Sequence, residues 1–216
     1  MIKGTPELLA ERREEIVNVC EKLYKTMSFK EITLKEIGKA APFSRPTIYN
    51  YFQSKEEIFL ALFEKEYDRW SDALAAILNE HDVLSPEGLS EAIAESLANR
   101  EQLLKLLSMN NYDMEANSRL ERLTSFKRAY GKSIQLLREL LKKFCPETTD
   151  AEIQKIVYVF LPFMFGVYPY AAVTEKQKAA MKEAGVDYAS RSIYEITYDC
   201  LIRLLGSRQR GEKEMK

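Results

Sequence analysis

From Pro6 to Met27 the apolar residues Leu9, Ile16, Cys20, Leu23 and Met27 recur at the spacing that lines one face of a helix. Thr33 to Ala41 and Ser44 to Phe52 then predict two short helices about a tight turn, and a longer amphipathic helix follows from Ser54 to about Asn79. Beyond His81 the helices lengthen. Leu123, Phe126, Tyr130, Ile134, Leu137, Leu141 and Phe144 step by three or four until Cys145-Pro146 stops the pattern. An apolar helix is expected from Asp150 to about Tyr170, a short piece near Glu175 to Ala184, and a last helix from about Asp187 to Leu205 with Ile193, Ile196, Cys200, Leu201, Leu204 and Leu205 on one face. Cap signals mark the starts: Thr5-Pro6, Ser85-Pro86, and the boxes Thr33-x-x-Glu36, Ser54-x-x-Glu57 and Thr149-x-x-Glu152. No alternating run is long enough for a strand and no internal repeat is present, so the fold class is all-α.

Ile156 to Val173 runs 18 residues without a charge, the lower length limit of a membrane span. Pro162, Gly166 and Pro169 interrupt it, and Tyr158, Tyr168 and Tyr170 are scattered along it instead of belting its ends. A buried helix, hydrophobic all round, is expected in place of a span. The N-terminus has no long apolar run behind a basic start, so no signal peptide is expected and the cytoplasm is the expected compartment.

The chemistry available is narrow. Cys20, Cys145 and Cys200 are widely spaced with no C-x-x-C, and His81 is the single histidine, so neither a metal site nor a cofactor is expected. Without paired carboxylates or a glycine-rich phosphate loop, little remains from which to build an enzyme. Across the 216 residues, 32 basic side chains balance 33 acidic ones. That near-neutrality argues against nucleic acid only if the charge is spread evenly. Between Thr33 and Lys55 it is not: Lys35, Lys39, Arg45 and Lys55 face Glu36 alone.

Two short helices joined by three or four residues in the same segment predict a helix-turn-helix, the arrangement in which a second helix can enter the DNA major groove. Ile37, Ala40, Ala41, Phe43, Ile48 and Phe52 are the inward positions, leaving Lys35, Ser44, Arg45, Thr47, Tyr49, Asn50 and Tyr51 facing outward. Arg45 can present a bidentate fork to guanine, Asn50 can pair with adenine or a phosphate, and Thr47 can touch a thymine methyl. Ser44, Tyr49 and Tyr51 offer hydroxyls to phosphates, and Lys55 places a charge beside a helix N-terminus.

Thr33, Ile37, Ala41, Ser44, Thr47, Ile48, Tyr49, Tyr51, Phe52, Lys55 and Glu57 follow the pattern T-x-x-x-I-A-x-x-A-G-V-S-x-x-T-[LI]-Y-x-[HY]-F-x-[ST]-K-E-E-L. The chain thereby resembles the tetracycline-repressor (TetR) family over about 50 residues. Two positions depart from it: Gly38 stands for the usual alanine, and Pro42 takes the turn position usually held by glycine.

The resemblance implies an N-terminal three-helix helix-turn-helix domain followed by a larger helical domain for effector binding and dimerisation. The expected divisions are a DNA-binding domain at 1–53, a connecting helix at 54–80, an effector-binding and dimerisation domain at 81–207 and a charged tail at 208–216. Thr33, Lys35, Ser44, Arg45, Pro46, Thr47, Tyr49, Asn50, Tyr51 and Lys55 are the candidate DNA-binding residues. The helices at about 150–170 and 187–205 are expected to pair with a second copy through residues such as Tyr158, Phe160, Phe163, Phe165, Ile193 and Leu201. Met109, Tyr112, Met114, Phe126, Tyr130, Phe163 and Met164 are candidates to line a pocket for a small apolar or aromatic effector, although a packed core needs the same residues. The expected function is a homodimeric transcriptional regulator, a ligand-released repressor on a near-palindromic DNA operator. The alternative is a helical interaction module whose first domain binds a protein instead of DNA.

Overall fold

Thr5 opens the first helix as expected: its hydroxyl accepts from the Leu8 amide at 3.3 Å and Pro6 follows, giving α1 (Pro6–Thr26). The structure is a computed structural model that describes residues 5–109 and 111–206, with the side chains of 111–113 and the tail at 208–216 outside the described residues. It consists of helices joined by short connections, with no strand among the described residues. After α1 come α2 (Leu34–Ala40), α3 (Arg45–Tyr49), α4 (Lys55–Glu80), α5 (Pro86–Ala98), α6 (Glu101–Leu107), α7 (Asn111–Ala116), α8 (Leu120–Phe144), α9 (Asp150–Ala171), α10 (Glu175–Glu183) and α11 (Ile193–Gly206).

By packing, the chain divides into two units. The first contains the residues up to Tyr67 and the stretch 110–130. Its core is aromatic: Tyr24 and Phe29 each meet Phe59 edge-on, at 5.2 and 4.7 Å between ring centres, while Phe63, Tyr67, Phe126 and Tyr130 form a second cluster. Ile37, Ile48 and Phe52 are fully buried as expected. Ala40, read as inward, is exposed, because α2 ends there and the chain turns away into Ala41.

The second unit contains residues 68–109 and 131 onward, and α11 packs mainly on α5 and α9, with α9 also against α6. Trp70 is fully buried there, its indole N–H donating to the Ser96 hydroxyl at 3.0 Å, and Ser71 bonds Ser133 at 2.8 Å.

Two expectations are corrected in this unit. Helix α9 is not enclosed all round: Ile153, Ile156, Val157, Phe160, Met164 and Val167 form one buried stripe, while Tyr158 (79% exposed), Val159 and Tyr170 lie open on the other side. It is the one helix among the described residues long and apolar enough to cross a membrane, by length and composition only. The last helix begins at Ile193, not near Asp187. A capping box fixes that start, the Ser192 hydroxyl accepting from the Glu195 amide at 3.2 Å and Glu195 accepting from the Ser192 amide at 2.7 Å. The preceding connection leaves α10 through Gly185, whose φ of +66° is the left-handed turn that closes a helix most cheaply with glycine.

Of the three expected capping boxes only Thr149/Glu152 is complete. Glu36 turns instead to Lys39, and Glu57 to partners described below. Thr149→Ala is therefore expected to cost about 1 kcal/mol of stability, read as a lower urea midpoint; an unchanged midpoint would mean the cap does not hold α9.

Candidate nucleic-acid interface

The turn between α2 and α3 works without a left-handed residue. Ala41 is extended (φ −91°, ψ 153°), the conformation to which a residue before proline is confined, so Pro42 replaces the customary glycine without strain. A Cβ added at Gly38 would meet the Ile48 Cδ1 at 3.6 Å, ordinary contact, so glycine is not needed there for space. Ser44 then caps α3 by accepting from the Thr47 amide at 3.4 Å, and its hydroxyl shares a 2.8 Å hydrogen bond with that of Thr47.

Lys35, Ser44, Arg45, Pro46, Tyr49 and Asn50 are exposed and Thr47 half-exposed, so α2 and α3 present them on one open surface together with the N-cap Thr33. Arg45 and Tyr49 form a single plate: the guanidinium donates to the Tyr49 hydroxyl at 3.1 Å and lies 5.6 Å from its ring centre. A fork held this way has fewer rotamers to lose on meeting a base edge.

Two residues depart from the outward expectation. Tyr51 is only 7% exposed. After Tyr49 the helix tightens, with Asn50 bonding the Thr47 carbonyl and Tyr51 that of Ile48, and at three residues per turn Tyr51 falls on the side of buried Ile48. Its hydroxyl has no hydrogen-bond partner among the described residues. The Lys55 ammonium is engaged internally, donating to the carbonyls of Phe29 at 2.9 Å and Ile32 at 3.3 Å and lying 4.0 Å from the Phe29 ring centre. It closes the α1–α2 connection onto α4.

Beneath the surface lies Glu57, fully buried, which the sequence shows as a cap and as part of the family pattern. It accepts from the Gln53 amide at 2.8 Å and from Arg119 three times, through Nε at 2.6 Å, Nη2 at 2.8 Å and the backbone amide at 3.1 Å. Burial alone would push its carboxyl up, but these donors outweigh it and hold the pKa down at about 2. Phe52 is flanked by two guanidinium groups, Arg13 at 5.7 Å and Arg122 at 5.8 Å from its ring centre.

The effector candidates fall in both units. Met114 and Phe126 are buried in the first unit, with Tyr130 half-buried beside Tyr67; the Tyr112 side chain lies outside the described residues. Met109, half-buried, Met164, fully buried, and Phe163 belong to the second. There Phe163 joins Val167, Tyr170, Tyr188, Arg191 and Ile196 around a groove of about 310 Å³. Phe160 and Leu201, expected on a pairing surface, are instead spent inside the unit at 2% exposure. Among the described residues no group of three or more His, Cys, Asp or Glu is placed to hold a metal ion.

Residues 16–62 match the family model of bacterial regulatory proteins, tetR family, and residues 64–195 that of the tetracyclin repressor-like C-terminal domain. The HTH-type transcriptional regulator EthR of Mycolicibacterium smegmatis is 39% identical over 54 residues, and the match spans 25% of each chain. YfiR of Bacillus subtilis, an uncharacterized HTH-type transcriptional regulator, is 24% identical over 181 residues, 82% of this chain and 88% of that one. The structure of Thermus thermophilus FadR, a TetR family transcriptional repressor in complex with lauroyl-CoA, shares the fold at a TM-score of 0.57 and 22% identity, covering 91% of this chain and 94% of that one.

The charge state of Glu57 makes a pH prediction. A carboxyl lowered from 4.5 to about 2 stabilises the fold above pH 4.5, and that contribution is lost as pH falls through this window. Glu57→Gln is expected to be less stable than the parent at pH 7 and to close most of the gap by pH 2.5 in urea titrations. A gap independent of pH would show that the carboxylate charge is not what Arg119 holds.

Proposed function

The chain belongs to the TetR family of bacterial regulatory proteins and is a DNA-binding transcriptional regulator; from that premise we propose that it acts as a homodimeric repressor released from a near-palindromic operator by a small molecule. The observation that carries the DNA-reading part is the open surface of α2 and α3, where the Arg45–Tyr49 plate stands among Lys35, Ser44, Thr47 and Asn50. Arg45 reads a guanine edge, Asn50 and Thr47 neighbouring bases, and Thr33, Lys35, Ser44, Pro46 and Tyr49 lie against the sugar–phosphate backbone. Tyr51 and Lys55 serve the surface from beneath, shaping it and not touching bases.

Dimerisation through α9 and α11 is supported by the apolar side chains left open there, Tyr158, Val159, Phe165 and Tyr170 on α9 and Tyr194 on α11. A two-fold pair of this kind sets two reading helices about 34–36 Å apart, one turn of DNA. Release follows if the effector binds better to a dimer whose helices are spaced wrongly for the operator. The lauroyl-CoA complex of the Thermus relative supports an effector with a long apolar part.

Binding to the protein's own promoter region against a random duplex at physiological salt tests the reading. Selective binding by the parent is expected, with Arg45→Ala costing about 1–3 kcal/mol on the preferred sequence and little on random DNA. Equal affinity of the parent for both duplexes would refute a sequence-specific regulator.

A further inference from the structure

The reading helix α3 is five residues long, too short to hold its own shape, so its angle is set by what it is fastened to. On its C-terminal side the fastening is Glu57. The Gln53 amide, one residue after Phe52, donates to one oxygen of that carboxylate, and Arg119, just ahead of α8, donates to both. Arg119 Nη2 and Arg122 Nη2 also approach the Tyr51 carbonyl, at 3.5 and 3.4 Å, where the last turn of the reading segment leaves an acceptor. Ser54, between these groups, donates its hydroxyl to the Asn117 carbonyl at 2.9 Å. In the joint between α3 and α4, Tyr51, Phe52 and Ser54 are thus tied directly to the stretch 117–122, Phe52 through the Arg122 guanidinium beside its ring, and Gln53 is tied to it through Glu57.

That stretch lies within the C-terminal family match at 64–195, yet it packs in the same unit as the helix-turn-helix. We propose that Arg119 is a positioning residue for DNA readout: through Glu57 it fixes the joint that sets the angle of α3, so operator affinity depends on a side chain that touches no DNA. The proposal rests on the DNA-reading function given above.

Removing Arg119 alone strands a buried carboxylate and threatens the fold. The informative variant is Glu57→Gln with Arg119→Met, which removes both charges and keeps the arginine stem's volume. It is expected to melt within a few degrees of the parent, yet to bind the parent's preferred duplex at least tenfold more weakly. Its dependence of log affinity on log salt stays at the parent's slope, because no phosphate partner is lost. The amides of Tyr51, Phe52 and Gln53 exchange faster with solvent while those inside α4 do not. If the double variant does not fold, Arg119→Lys, which keeps the charge and loses the fork, carries the same comparison.

Parent-like affinity in a folded variant overturns the proposal, and so does a salt slope reduced by about one, which would make Arg119 a phosphate contact. If the parent itself proves unselective for DNA, the regulator reading fails, and the exchange rates still decide whether Arg119 holds the joint: unchanged protection at residues 51–53 overturns it.

Discussion

A carboxylate taken out of water needs its lone pairs answered, and Glu57 meets that need by drawing together two parts of the first unit that lie far apart in sequence. Gln53 comes from the end of the reading segment, Arg119 from a position 62 residues away, and Ser54 caps the Glu57 amide at 3.2 Å. The five-residue α3 inherits its place from this arrangement and from Ile48 and Phe52, both fully buried under it. Lys55 does the corresponding work on the other side, fastening the carbonyls of Phe29 and Ile32 to the start of α4. Glu57 and Lys55 thus act inside the unit, while Arg45 and Lys35 are exposed on the open surface.

The near-neutral net charge of −1 acquires a meaning from this placement. Much of the basic charge near the helix-turn-helix is spent on neighbours: Lys39 pairs with Glu36 at 3.0 Å, Arg119 with Glu57, and Lys65 with Glu21 at 2.9 Å. With basic charge engaged in this way, the proposed operator recognition rests on base contacts and on the geometry of two copies. In the second unit the apolar residues of α9 and α11 divide between an internal stripe and an open face. Phe160 and Leu201 serve the first, Tyr158 and Tyr170 the second.

What was legible in the sequence was what is local. Helix starts at Thr5, Ser85 and Thr149, the helical period of α8 and the inward set Ile37, Ile48 and Phe52 all follow from spacing and capping, and the structure has them. The start of α11 was legible too, through Ser192-x-x-Glu195, but the apolar pattern alone placed it too early. The stretch from Pro86 to Ala116 yielded only its first cap, because the break at Asn99 and Arg100 carries neither proline nor glycine to announce it. Tyr51 was misplaced because a helical wheel assumes 3.6 residues per turn, and the chain tightens after Tyr49. The Glu57–Arg119 pair was invisible in kind: no periodicity links residues so far apart, and a buried acid reads locally as one more capping glutamate.

The central claim is that this surface reads a specific DNA sequence as a symmetric pair. Selection of bound duplexes from a random-sequence pool by the full-length protein tests it most directly. Enrichment of an inverted repeat whose half-sites are centred about one helical turn apart, or a small whole number of turns, is the predicted result. A pool that stays random, or a single unrepeated site, would contradict it.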